Sequence, residues 1–293
     1  MVRAYRRKSL TTAGIVIAVI TGIIHSATDS SVNLALLIGF FITGTVFTKV
    51  KADVKRSLTV HIDDKGSEFH ETRNHIQVLA NSVVASILII IQLAIDRQEY
   101  PRYWQVTQVG IVAQYAAVTA DTWSSELGIL SKTTPRLITT LKPCPKGTNG
   151  GVSELGLRVA LFGGFFVGGI ASFFSPVSLI PHNGSPGMGI PSLGITEWTV
   201  LDRAQFIFFT GVVGLFGSLL DSLLGALFQK SLVNREGKII EVEGGYRFKE
   251  ASLNKVGDVK AFSGLDILSN NQVNFAMAIS TTILTMIAWW TLF

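Results

Sequence analysis

Apolar residues along this chain gather into long blocks separated by short, charge-bearing polar segments. Crossing a hydrocarbon core about 30 Å thick takes roughly 20 mostly apolar helical residues. Stretches at approximately 9–26, 31–48, 76–95, 105–123, 157–180, 204–228 and 273–293 fit that length. The pattern predicts an all-α, polytopic membrane helix bundle of about seven transmembrane helices, forming a single domain over 1–293. The first block is short, but GIVIAVITGII carries no charge; the fourth is the weakest, diluted by Gln105, Gln108 and Gln114. Loops are expected over 49–75, 124–158 and 229–272, with short hairpins in TVHIDDKGSEFH (59–70) and REGKIIEVEGG (235–245).

Small residues mark where helices can approach closely. Gly164 and Gly168 form a GxxxG step flanked by Gly163 and Gly169, and the sixth block carries Gly211, Gly214, Gly217 and Gly225. Composition agrees with a membrane protein: 48% of the 293 residues are hydrophobic and only 15% charged, against about 25% charged in soluble domains. Of the 25 Lys and Arg residues, all but Arg97, Arg102 and Arg203 fall on one face of the seven-span arrangement. By the positive-inside rule that face is cytoplasmic, as is the N-terminus with Arg3, Arg6, Arg7 and Lys8. The net charge of +5 then reports topology and membrane lipid contact, not nucleic acid. The Asn183-Gly-Ser sequon falls on the opposite side, with Pro186 close behind. Cys144, the single cysteine, excludes a disulfide framework and reads as a packing residue.

Charges beside or inside apolar blocks are costly and therefore informative. ADTWSSELG (120–128) holds Asp121, Ser125 and Glu126. On a regular helix Glu126 lies roughly 140° round from Asp121, so either the helix breaks there or the two acids serve different partners. Asp221 lies deep in the sixth block, on one polar stripe with Ser218 and Ser222. Asn81 stands inside the third block, just beyond Arg73, and Asn270, Asn271 and Asn274 open the seventh. Between the fourth and fifth blocks, Arg136, Lys142 and Lys146 precede the glycine-rich run Gly147-Thr148-Asn149-Gly150-Gly151. Such a loop can present backbone N–H groups and cations to a phosphate, and a tight turn explains it equally well. No GxxxxGK[ST] loop, HExxH motif or Ser-His-Asp pattern accompanies it; His61, His70 and His182 read as loop residues and His25 lies at a span end. All the polar clusters fall at inner span ends or in the loop between the fourth and fifth blocks, which points to one cytoplasm-facing site where carboxylates hold Mg2+ and cations hold phosphates.

ADTWSSELG, PRLITT, KGTNGGVS, LLDSLLGA and NNQVN, in this order, resemble the integral membrane family that includes plant phytyl phosphate kinase and animal transmembrane protein nineteen. The likeness runs along nearly the whole chain and is clearest from RNHIQVLAN onward. It implies phosphoryl transfer from a nucleoside triphosphate, CTP or UTP foremost, to an isoprenoid lipid monophosphate, giving the prenyl diphosphate. In that reading Asp121, Glu126 and Asp221 would hold Mg2+, and Lys146 would assist the transferred phosphoryl group. Arg73, Arg136, Lys142 and residues 147–151 would bind phosphate or nucleotide, with Asn81, Ser125, Ser218, Ser222, Asn270, Asn271 and Asn274 in support. Departures from the family pattern stand at Glu71, Thr72, His75, Ala120 and Ser269, and bear on substrate choice more than on chemistry. The alternatives are a lipid-phosphate cytidylyltransferase using the same ions, and a non-enzymatic lipid or anion transporter. An endoplasmic reticulum membrane is expected in a eukaryote and the cell membrane otherwise, with homo-oligomerisation left open.

Overall fold

The computed structural model describes residues 10–62, 73–176, 178–180, 197–242, 247 and 258–292. The N-terminal basic cluster, His70, His182, the Asn183 sequon and most of the 59–70 segment lie outside them. Within the described residues the helices are α1 (Thr12–His25), α2 (Val32–Lys49), α3 (Ala52–Leu58), α4 (His75–Leu93), α5 (Pro101–Gly128), α6 (Glu154–Phe174), α7 (Val200–Phe228) and α8 (Asn270–Leu292). Apart from the short α3, each coincides with one apolar block. Five of them, α2, α4, α6, α7 and α8, are long and apolar enough to cross a membrane.

Local sequence sets the helix starts. Thr11 caps α1, Ser153 caps α6, and reciprocal capping boxes open α4 (Asn74 with Gln77) and α7 (Thr199 with Asp202). Each cap satisfies N–H groups that a helix leaves unbonded, typically worth about 1 kcal/mol. Asp202 is thereby explained as a capping group.

Helix α5 is the axis of the molecule, packed against α2, α4, α6, α7 and α8. That position explains its low hydropathy, since its neighbours and not lipid surround it. Its amides are spent on them: Gln108 donates to Asn33 Oδ1 (2.9 Å) and accepts from Gln92, Gln105 donates to Leu179 O (2.8 Å), and Gln114 donates to Asn81 O (3.1 Å). Polar groups therefore do continue along the bundle, contrary to the one-sided clustering read from the sequence. The α6–α7 contact uses the expected glycines. A Cβ on Gly164 would stand 2.4 Å from Thr210 O, and one on Gly214 would stand 2.9 Å from Gly164 Cα.

The fold is mostly helical, as expected, and carries a small sheet in its loops. A four-stranded sheet, order β1-β5-β4-β6, lies at one end of the bundle, built from β1 (Thr59–Ile62), β4 (Ser231–Val233), β5 (Ile239–Val242) and β6 (Lys260–Ser263). Strands β4 and β5 form an antiparallel hairpin, as the 235–245 segment suggested, and β1 pairs in parallel with β5. The far end carries an arginine–aromatic belt, with Arg97 over Trp104 (4.4 Å) and Arg102 over Trp290 (4.1 Å). Such rings favour the membrane–water boundary.

Candidate functional site

At the sheet end the helix termini diverge around a cavity of about 970 Å³. Its floor is the last turns of α5 and α7, and its roof is the β1–β5 pair. The remaining walls come from the C-terminal end of α2, the N-terminal ends of α4 and α8, and the 129–153 loop.

Asp121 from α5 and Asp221 from α7 both line this floor, close enough for the charge on one to be felt by the other. Close contact of α5 with α7 makes this possible: Cβ atoms added at Gly214 and Gly217 would lie 3.1 Å from Ala116 O and 2.7 Å from Ala117 Cβ. Among the described residues, neither carboxylate has an ion-pair partner. With its amide nitrogen turned inward, Asn274 donates to Asp221 Oδ2 (3.2 Å) and to Asn270 O (3.1 Å).

Glu126 behaves differently. Helix α5 runs unbroken through 128, so Glu126 points away from Asp121 and takes other partners. Lys55 Nζ stands 2.5 Å from Glu126 Oε2, and Thr48 Oγ1 donates to Glu126 Oε1 (2.9 Å). Arg73 in turn donates to Thr48 Oγ1 (3.2 Å), and Lys55 also caps the end of α2 by donating to the carbonyls of Phe47 and Thr48. Lys55 went unnoticed in the sequence, where it is one of several loop cations. The pair is largely shielded, with side chains 13% and 24% exposed. Lys55→Met is therefore expected to cost about 1–3 kcal/mol, the penalty for leaving a buried polar partner unsatisfied. Adding Glu126→Gln should restore most of it, which thermal unfolding in detergent would measure.

Between β2 (Arg136–Leu137) and β3 (Gly151–Val152), the 138–150 segment folds onto α7 and the sheet. Gly147 and Gly150 have φ of 84° and 79°, and Cβ atoms there would meet Thr59 Cγ2 at 2.6 Å and Ser222 O at 2.5 Å. These glycines thus serve a tight, packed turn. The N–H groups of Thr148, Asn149 and Gly151 bond to Pro145 O, Ser231 Oγ and Thr148 O. The Thr148 hydroxyl donates to Pro145 O (2.7 Å) and Lys146 Nζ to Ser131 O (2.6 Å). The loop lines the cavity, but its hydrogen-bond capacity is largely used internally. Cys144 is buried beneath it, and burial pushes its thiol up, as expected of an inert packing residue.

Several expected residues do line the cavity: Arg73, Asn81, Ser125, Lys146, Ser222 and the Asn270, Asn271 and Asn274 group. Others do not. Arg136 is exposed and donates to Leu141 O (2.8 Å), Lys142 points to solvent, and Ser218 is buried between helices. Lys49, Lys55 and Lys230 add the cationic wall that Arg136 and Lys142 were expected to supply.

Spanning helices, an interfacial aromatic belt and a charged cavity at one end define a multi-pass integral membrane protein. The family described as integral membrane protein DUF92 matches residues 1–282, and the chain belongs to it. Protein PGR of Arabidopsis thaliana is 36% identical over 98% of this chain and 91% of its own length. The uncharacterized membrane protein MJ0933 of Methanocaldococcus jannaschii is 29% identical over 69% and 68% of the two chains. Protein VTE6, chloroplastic, of Arabidopsis thaliana is 29% identical over 58% of this chain and 49% of its own. No solved structure matches the chain.

Proposed function

We propose that this protein transfers the γ-phosphoryl group of a nucleoside triphosphate to an isoprenoid monophosphate, at the sheet-bearing end of the bundle, taken as cytoplasmic. The observation that carries the reading is the Asp121–Asp221 pair, two carboxyl groups without an ion-pair partner among the described residues, inside a cavity whose walls bear Arg73, Lys146 and Lys230. Like charges brought together out of bulk water call for a cation between them, while the surrounding cations call for an anion beside it. A divalent metal held by Asp121 and Asp221 together with phosphate groups held by the cations would satisfy both demands.

The residues fit Mg2+. Among the described residues no cluster of three acidic, His or Cys ligands exists, and Mg2+ seldom needs one, binding through one or two carboxylates plus phosphate oxygens and water. Asp121 and Asp221 would hold it, and Ser125 and Ser222 add oxygens nearby. Bound there, the ion would neutralise charge on the nucleotide phosphates. Asn274 fixes Asp221, and Arg73 and Lys230 draw the two anionic substrates into one cavity. The acceptor is already an ionised phosphate, so no general base is required and positioning dominates. Glu126, held by Lys55, serves in this reading to position Lys55 and the end of α2.

A cytidylyltransferase could use the same groups, and isotope position separates them. Label from [γ-32P]CTP or UTP recovered in a lipid diphosphate supports the kinase. Label from [α-32P]CTP recovered in the lipid, with pyrophosphate released, would replace it by the alternative.

A further inference from the structure

The cavity is not confined to the polar end. Along α2 it reaches Phe41 and Phe40, two helical turns deeper than Lys49, a distance of about 12 Å at 1.5 Å per residue. The opposite wall is α4, at Gln77 and Asn81. Helices α2 and α4 scarcely touch each other, because each packs on α5 and on other neighbours. Helix α1 explains where the gap closes. At the sheet end Thr11 N donates to Arg73 O (3.0 Å), which holds α1 against the start of α4. At the other end His25 bonds Tyr115 Oη (2.6 Å), and Phe40 packs on the same tyrosine ring (6.2 Å between centroids). The result is a cleft open beside Arg73 and closed at Phe40 and Tyr115.

Its walls look polar by residue type, yet their polar groups are turned to their own helices. Thr45 Oγ1 donates to Phe41 O (2.7 Å), Asn81 Nδ2 donates to Gln77 O (2.9 Å), and Gln77 Oε1 accepts from Asn74 N (2.8 Å). Groups already bonded impose little desolvation penalty on an apolar occupant, whereas unbonded ones would impose several kcal/mol. The mouth is the reverse, with Arg73 spanning from α4 to Thr48 on α2. A slot one inter-helix gap wide, with the Arg73 guanidinium reaching as deep as Gly44 and Phe40 and Phe41 beyond it, suits a lipid with one anionic phosphate and one chain.

We infer that the α2–α4 cleft holds the isoprenoid tail of the acceptor, with its phosphate at Arg73 and its chain running past Thr45 and Asn81 to Phe40. This rests on the acceptor being an isoprenoid phosphate, as proposed above. The test uses purified protein in nanodiscs and a prenyl monophosphate carrying a diazirine midway along its tail, photolysed without nucleotide. Label is expected on Phe40, Phe41, Thr45, Gln77 and Asn81, lost on adding unmodified prenyl monophosphate and retained on adding phosphatidic acid. Thr45→Trp, which fills the cleft, should abolish that labelling. Label spread over the outward faces at Ile38, Ile42 and Val46, or displaced equally by phosphatidic acid, would overturn the assignment. Because no turnover is read, cleft labelling in a protein that transfers no phosphate would uphold this site while removing the kinase reading.

Discussion

Asp221→Asn is expected to lower kcat for phosphoryl transfer by about 10²–10³-fold or more, the scale on which removal of one group stabilising transition-state charge is felt. Asp121→Asn should do the same, and the double variant should be little worse than either alone, because groups acting as one unit are not additive. Stability should move the other way or not at all. Each exchange removes one carboxyl group from the two that α5 and α7 bring to the same cavity floor, and the amide is of nearly the same size. Steady-state kinetics together with a thermal melt therefore separates a role in the reaction from one in folding. A variant that loses activity and melting temperature together would argue for a structural pair instead.

Gly164→Leu should be the most damaging substitution remote from the cavity. Any side chain at 164 meets the backbone of α7, at Thr210 O and Gly211 Cα, which cannot step aside without moving the helix. Overpacking of this kind costs about 1–3 kcal/mol and occasionally more. Here it would also pry α7, and with it Asp221, away from α5. The same change at Gly169, where a Cβ would meet nothing within 4 Å, should leave the melting temperature within a degree or two, as surface substitutions generally do. Parallel melts of the two variants in one detergent make the comparison.

Much of this arrangement was legible in the sequence because the physics behind it is local. Apolar blocks of membrane-crossing length located the helices, and Asp121 and Asp221 stood out as charges where burial is expensive. The glycines of 163–168 and 211–217 were correctly read as contacts, since only small side chains permit backbone approach. What was not legible depends on partners distant along the chain. The pairing of β1 with β5 joins Thr59 to Ile239, and nothing in four residues of β1 specifies which strand they will meet. Lys55 and Glu126 share a hydrogen-bonded pair across 71 positions, so which partner Glu126 takes, left open in ADTWSSELG, could not be read there. Arg136 and Lys142 were drawn to the phosphate site by proximity in sequence, although the loop turns them outward. The polarity of α5 looked like weakness as a membrane segment; it reflects a helix surrounded by others, whose amides need protein partners and find them.

The central claim is that one cavity moves phosphate from a nucleotide to a prenyl phosphate. Its most direct measurement is incubation of the purified protein with Mg2+, a γ-labelled nucleoside triphosphate and a panel of prenyl monophosphates, with the lipid products then separated. The account predicts label in a prenyl diphosphate, absent without Mg2+ and absent in both Asp121→Asn and Asp221→Asn. Protein that is demonstrably folded but transfers no label to any acceptor, or that transfers it undiminished in both variants, would contradict it.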